Sequence, residues 1–101
     1  MASRLELHAR FEEILGSRNV YFQPPASVQM DYPAIVYSLK NIVSEPANDD
    51  VYMQTRSYEV TLIDRNPDNE FVGIISRLPM CSFDRPFKSD NLNHYVFTIY
   101  Y

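Results

Sequence analysis

Glycine is scarce in this chain, with two residues against seven prolines in a length of 101. Loops that cradle phosphate use glycine to bring backbone amides against the anion, so P-loop and dinucleotide-binding fingerprints are excluded. Cysteine is scarcer still. One thiol, Cys81, cannot close an internal disulfide, which fits a reducing cytoplasm. It has no His or Lys beside it and reads as a small buried hydrophobe, not a reactive nucleophile. With only two histidines, the chain cannot assemble a closed zinc site at any usual spacing. Positive charge is not in excess: nine Lys and Arg against thirteen Asp and Glu give a net charge of -4. The basic residues are scattered singly, so no run displaces the counterions of a nucleic acid, and sequence-specific binding to DNA or RNA is not expected. No segment approaches the ~18 apolar residues of a membrane span. The N-terminal MASRLELHARFEEIL carries charges throughout, so no signal peptide is expected either.

What remains is ordinary globular composition, 46% hydrophobic and 22% charged, in one domain's worth of chain. Eight tyrosines and six phenylalanines are a rich supply of aromatics, and no Trp accompanies them. Tyrosine joins an apolar ring to a polar tip and serves interfaces as well as cores. Ser3 with Glu6 forms a capping box, and Leu7, Phe11, Ile14 and Leu15 follow as one helical stripe with His8 on its margin. Gly16 falls where a left-handed cap ends such a helix, so the pattern predicts a helix over 3–15. A β-prone run at 20–23 stops at Pro24-Pro25. From Ala34 to Val43 the odd positions Ile35, Tyr37, Leu39 and Val43 are apolar, while Ser38 and Lys40 take the other face of a half-buried strand. Residues 44–50 are turn chemistry, and a second long strand runs over about 51–63.

Asn66-Pro67-Asp68 predicts a helix start, with Asn as cap and Pro preset at the first turn. Phe71, Ile74, Ile75 and Leu78 form its stripe, and Pro79 closes it. A strand interrupted by Pro86 covers about 80–87, and a last strand runs from Leu92 to Tyr101. In that strand Tyr95, Phe97, Ile99 and Tyr101 share one face, and Leu92, His94, Val96, Thr98 and Tyr100 the other. Two singly striped helices can cover one face of a sheet. The expectation is therefore one α+β domain over 1–101: a mainly antiparallel sheet of four to five strands with two helices packed on one face.

The other sheet face is mixed, with Val36, Ser38, Lys40, Glu59, Thr61, His94, Val96, Thr98 and Tyr100. It suits either a solvated surface or a polar subunit interface. Candidate partner or subunit contacts are Lys40, Glu59 and His94 on that face, the C-terminal Tyr100 and Tyr101, and the acidic pair Asp49 and Asp50 of the hairpin turn. Catalysis needs a nucleophile with its base or a tuned carboxylate pair. No such motif stands in the chain, so neither an enzyme nor a cofactor is expected. Asp64 with His94 is the one pairing that a minor activity could use, and it requires both to converge in one cleft.

Three stretches together resemble a known family. They are Tyr32-Pro33-Ala34-Ile35-Val36-Tyr37, the run Tyr58 to Asp68 that joins a strand to the Pro-started segment, and the closing run Ser89 to Tyr101. The set is similar to the small tail-completion or tail-terminator proteins of long-tailed bacteriophages, which join tail to head. The likeness covers the chain from about Tyr32 onward, and its C-terminal run is the most specific part. It implies a structural virion protein that forms a homo-hexameric ring, ends polymerisation of the tail tube and meets a head-completion or connector protein. It also implies assembly in the host bacterial cytoplasm, residence at the head-proximal end of the tail, and DNA passing through the ring without sequence recognition. The hairpin between the two long strands becomes a candidate for docking on a neighbouring ring. The other reading of the residues is a small-ligand-binding or regulatory α+β domain in a cytoplasmic complex.

Overall fold

The computed structural model describes residues 4–46 and 52–101. Its elements are α1 (Arg4–Leu15), β1 (Val20–Phe22), β2 (Ala34–Pro46), β3 (Tyr52–Asp64), α2 (Phe71–Ser76), β4 (Cys81–Ser89) and β5 (Leu92–Tyr100). The strands form one sheet in the order β1-β2-β3-β5-β4. Among the described residues the β1–β2 pair is parallel, and β2–β3, β3–β5 and β5–β4 are antiparallel. The fold is thus the α+β arrangement expected, with five strands.

The register explains the core. One row across the sheet is Tyr37, Val60, Phe97 and Phe83; the rows beside it are Ile35, Leu62 and Tyr95, and Leu39, Tyr58, Ile99 and Cys81. Leu7 and Phe11 of α1 and Ile75 of α2 close over these rows in a single cluster. Because side chains alternate along a strand, every second residue of β3 and β5 falls on this covered face. Phe11 and Phe22 pack against Tyr37, and Phe83 against Phe97, in tilted or edge-to-face geometry with centroids 4.9 to 5.4 Å apart. Two members of this face lie open at its edges: Leu39 is 40% exposed and Phe83, on the edge strand, 45%.

Helix α1 matches its stripe, with Leu7 and Phe11 fully buried and Ile14 and Leu15 half-buried. Gly16 has φ +69° and its N–H donates to the Glu12 carbonyl at 2.9 Å, the left-handed cap that the sequence called for. Ser3 of the capping box lies outside the described residues.

Five expectations need correction. Strand β2 runs on to Pro46, into the stretch read as a turn. A bulge between Leu39 and Asn41 also shifts its register, so Val43 pairs with Thr55 on the face opposite to Ile35 and Tyr37. Period-two alternation cannot survive an inserted residue, hence the misplacement of Val43. The Pro-started helix is only the six-residue α2. Asn66 instead accepts the Asp68 N–H at 3.0 Å in a local turn, and the side chain of buried Asn69 accepts the Phe71 N–H at 2.6 Å. Asx turns of this kind compete with the first helical turn and delay it. Ile74, placed in the apolar stripe, is exposed. Strand β4, finally, is continuous through Pro86 to Ser89.

That last tolerance has a geometric cause. The β4–β5 hairpin closes through two residues, Asp90 and Asn91, with φ of +53° and +62°, as a type I′ turn requires. A two-residue turn makes Ser89 and Leu92 a hydrogen-bonded pair, so alternate rungs place Pro86, opposite Tyr95, at a non-bonded rung. The N–H that Pro86 lacks would have pointed outward from the edge, where no strand is bound.

Candidate interaction surfaces

The uncovered face of the sheet is built by the same alternation that builds the core. Its rows are Ser38, Glu59, Thr98 and Ser82; Val36, Thr61, Val96 and Arg85; and Ala34, Ile63, His94 and Phe87. Among the described residues no helix lies over it, yet Val96 is 1% exposed and Thr98 6%. Long polar side chains shelter them. Lys40 Nζ donates to Thr98 Oγ1 at 3.1 Å, and that hydroxyl donates to Asp84 Oδ2 at 2.7 Å. The Arg85 guanidinium stands 4.0 Å from Glu59 Oε1. The bulge at Lys40 lets it reach the face it shares with Asn41, and a second bulge between Phe83 and Arg85 frees Asp84 to do the same. Two irregularities therefore meet on one threonine.

At the far end of this face the Phe87 ring stacks on His94 with centroids 4.4 Å apart and planes 15° apart. The His94 Nδ1 donates to the Leu92 carbonyl at 3.1 Å, which fixes the imidazole against its own strand. Arg85 lies 5.9 Å from the Phe87 centroid, a cation–π distance that links the stack to the polar band.

The sequence-based candidates divide accordingly. Lys40 and Glu59 stand in the band, His94 in the stack, and Tyr100 is exposed at the C-terminal end of β5. Tyr101 does not join them: it packs half-buried against the core, and its N–H donates to the Arg56 carbonyl at 3.0 Å. The two tyrosines thus take opposite faces, as the alternation of the strand expects. Asp49 and Asp50 lie outside the described residues. Asp84, Arg85 and Phe87 complete the surface and were missed. Their signal was weak, since only the placement of β4 beside β5 brings them to Thr98 and His94.

Asp64 and His94 do not converge. Register puts His94 opposite Ile63 on the uncovered face, whereas Asp64 pairs with Asn93 on the other. The Asp64 carboxylate is engaged locally, accepting the Arg65 N–H at 2.8 Å and the Asn69 side-chain amide at 2.6 Å. An activity resting on that pair has no geometry here.

Two further features lie on the helix side. The Tyr37 hydroxyl, inside the core, accepts from Arg4 Nη1 at 3.2 Å and shares a hydrogen bond with His8 Nδ1 at 2.7 Å. Burial raises its pKa and outweighs the lowering by Arg4, so it stays a neutral phenol that pins α1 to β2. Between α1, the α2–β4 turn and the end of β5 lies an apolar cavity of about 130 Å³, lined by Leu7, Leu78, Pro79, Ile99 and Tyr101 with Arg10 at its margin.

A third surface is the outer part of the β2–β3 hairpin. Beyond Tyr37 no β1 residue pairs with β2, and beyond Ser57 no β5 residue pairs with β3. Residues 41–46 and 52–56 thus form a two-stranded arm, with Ile42 and Val43 each 42% exposed on opposite faces. The molecule is correspondingly elongated, 52 × 27 × 23 Å. Among the described residues there is no cluster of His, Cys, Asp and Glu able to hold a metal ion, and no helix long and apolar enough to cross a membrane. No protein-family model matches the chain, and no curated protein matches it.

Proposed function

We propose that this chain is a ring-forming tail-completion subunit of the tail-terminator type, a structural virion protein that caps a tail tube and joins it to the head connector. One observation carries the reading beyond the resemblance of the 89–101 segment: the two-stranded arm that leaves the sheet with Ile42 and Val43 exposed on its two faces. An isolated two-stranded ribbon is marginal in water, and a partner surface would bury both residues. A closed ring uses heterologous contacts, one patch against a different patch on the next copy, and the arm and the polar band of the uncovered face are two such patches. The edge at β4 is less suited, since Pro86 lacks the N–H a further strand would use and Asp84, Arg85 and Lys88 crowd it. The intended partners are then further copies of the chain, a tail-tube protein and a connector protein.

The test is light scattering of the purified chain alone and with tail tubes, followed by negative-stain microscopy. Rings, alone or at tube ends, with tubes of defined length support the reading. A monomer in both conditions with unaltered tubes removes it. The second reading, a small-ligand-binding or regulatory domain in a cytoplasmic complex, is favoured by one observation, the apolar cavity beside Arg10.

A further inference from the structure

The geometry points to a binding site for a small aromatic or branched-aliphatic carboxylate in the cavity between α1 and the end of β5, with Arg10 holding the carboxylate. It deepens the ligand-binding reading and does not depend on ring assembly. Interiors are close-packed, and voids larger than a water are few in a domain of this size. This one measures about 130 Å³. A dry apolar cavity of roughly 150 Å³ takes a benzene ring. Leu7, Leu78, Pro79, Met80 and Ile99 make most of the wall, with Tyr100, Tyr101 and Arg10 completing it, so the space is mostly apolar and suits an apolar body better than a trapped water.

The opening is what assigns the charge. Met80 at the rim is 69% exposed, so one side of the cavity communicates with solvent. Arg10 reaches the same rim and, among the described residues, makes no hydrogen bond or ion pair. Glu13 borders the adjoining groove, not the cavity. A guanidinium offers two parallel N–H donors that match a carboxylate, and the interaction strengthens beside apolar walls that exclude water. The ligand that satisfies both halves has a compact apolar body and a terminal carboxylate, with no second polar group to bury.

The backbone holds this opening in shape. Leu78, Pro79, Met80 and Cys81 form a turn closed by the Cys81 N–H on the Leu78 carbonyl at 3.2 Å, and the Tyr100 N–H donates to the Met80 carbonyl at 3.0 Å. The rim is therefore tied to β5 on one side and to α2 on the other.

The experiment titrates the full chain with benzoate and, separately, with benzyl alcohol, its neutral counterpart of similar size, and follows backbone amides by NMR. Saturable shifts centred on Leu78, Ile99 and Tyr101, with benzoate bound about tenfold more tightly, are expected; a charge-assisted pair is worth that factor. In Arg10→Gln, an exposed position where folding is not at stake, the preference should fall to about threefold or less while benzyl alcohol binds as before. No saturable shift with either probe, shifts centred elsewhere, or equal affinity for the two in the unaltered chain overturns the proposal. So does self-association in light scattering together with amides of Leu78, Ile99 and Tyr101 that stay silent to benzoate. A monomer that binds benzoate would sustain the site while ring assembly fails; a ring that ignores benzoate would do the reverse.

Discussion

The two faces of one sheet are kept from water by different means. On the helix side, Tyr37, Val60, Leu62 and Phe97 are buried by other apolar groups, and removing area from water is the stabilising force. On the other side no element covers Val96 and Thr98, and they are buried under the stems and heads of Lys40, Glu59, Asp84 and Arg85. The first arrangement is close-packed and intolerant of change. The second is a canopy of solvated side chains that can be rearranged at little cost, as a surface that meets a partner requires. Stability and recognition are thus divided between the faces by the strand alternation alone.

The comparison can be broken most severely in the core. Phe97→Ala should cost about 3–5 kcal/mol in chemical denaturation, the usual loss for a truncated core aromatic. Phe71→Ala, at a half-buried position of α2, should cost about 2 kcal/mol. A loss at Phe71 as large as at Phe97 would mean that α2 buries more than this packing allows.

A mirrored pair of swaps sharpens the contrast. Val60→Thr places a hydroxyl in the apolar cluster and should cost about 1–3 kcal/mol. Thr98→Val removes the hydroxyl shared by Lys40 and Asp84, but both of those charges keep water, so about 1 kcal/mol is expected. Equal losses in the two variants would show that the faces do not differ in this way.

Smaller effects are expected at the rim that joins the two regions. Met80 sits at the third position of its turn with φ +60°, where glycine is at ease and a side chain is strained. Being exposed, it loses little packing, so Met80→Gly should leave the melting temperature unchanged or raise it, by at most about 1 kcal/mol of stability. The last prediction concerns pH. Burial, with a smaller push from Asp84, raises the Cys81 thiol from 9.0 to about 11. Above pH 9 the unfolded chain releases that proton while the folded chain keeps it, so stability falls as pH rises from about 9 to 11. Cys81→Ala should flatten that decline in urea midpoints measured across the window. Since Cys81 is half-exposed, the change is small.

Much of this architecture was legible in the residues themselves. The stripe of α1, the left-handed Gly16, the order of elements and the assignment of Ile35, Tyr37, Tyr58, Val60, Leu62, Phe97 and Ile99 to one face follow from local periodicity, which depends only on backbone geometry. Scarce glycine already excluded a phosphate-cradling loop. Where a local rule competed with another, the reading failed: Asn66 and Asn69 made turns in place of a longer helix, and the bulge after Leu39 moved Val43 to the opposite face. Tertiary structure alone decided the surfaces. Thr98 meets Lys40 and Asp84 because two bulges on strands far apart in sequence face it across the sheet, and Arg10 and Ile99 line one cavity only because α1 and the end of β5 both border it. Side chains so distant along the chain come together through strand order and helix placement, and no spacing within one segment encodes either.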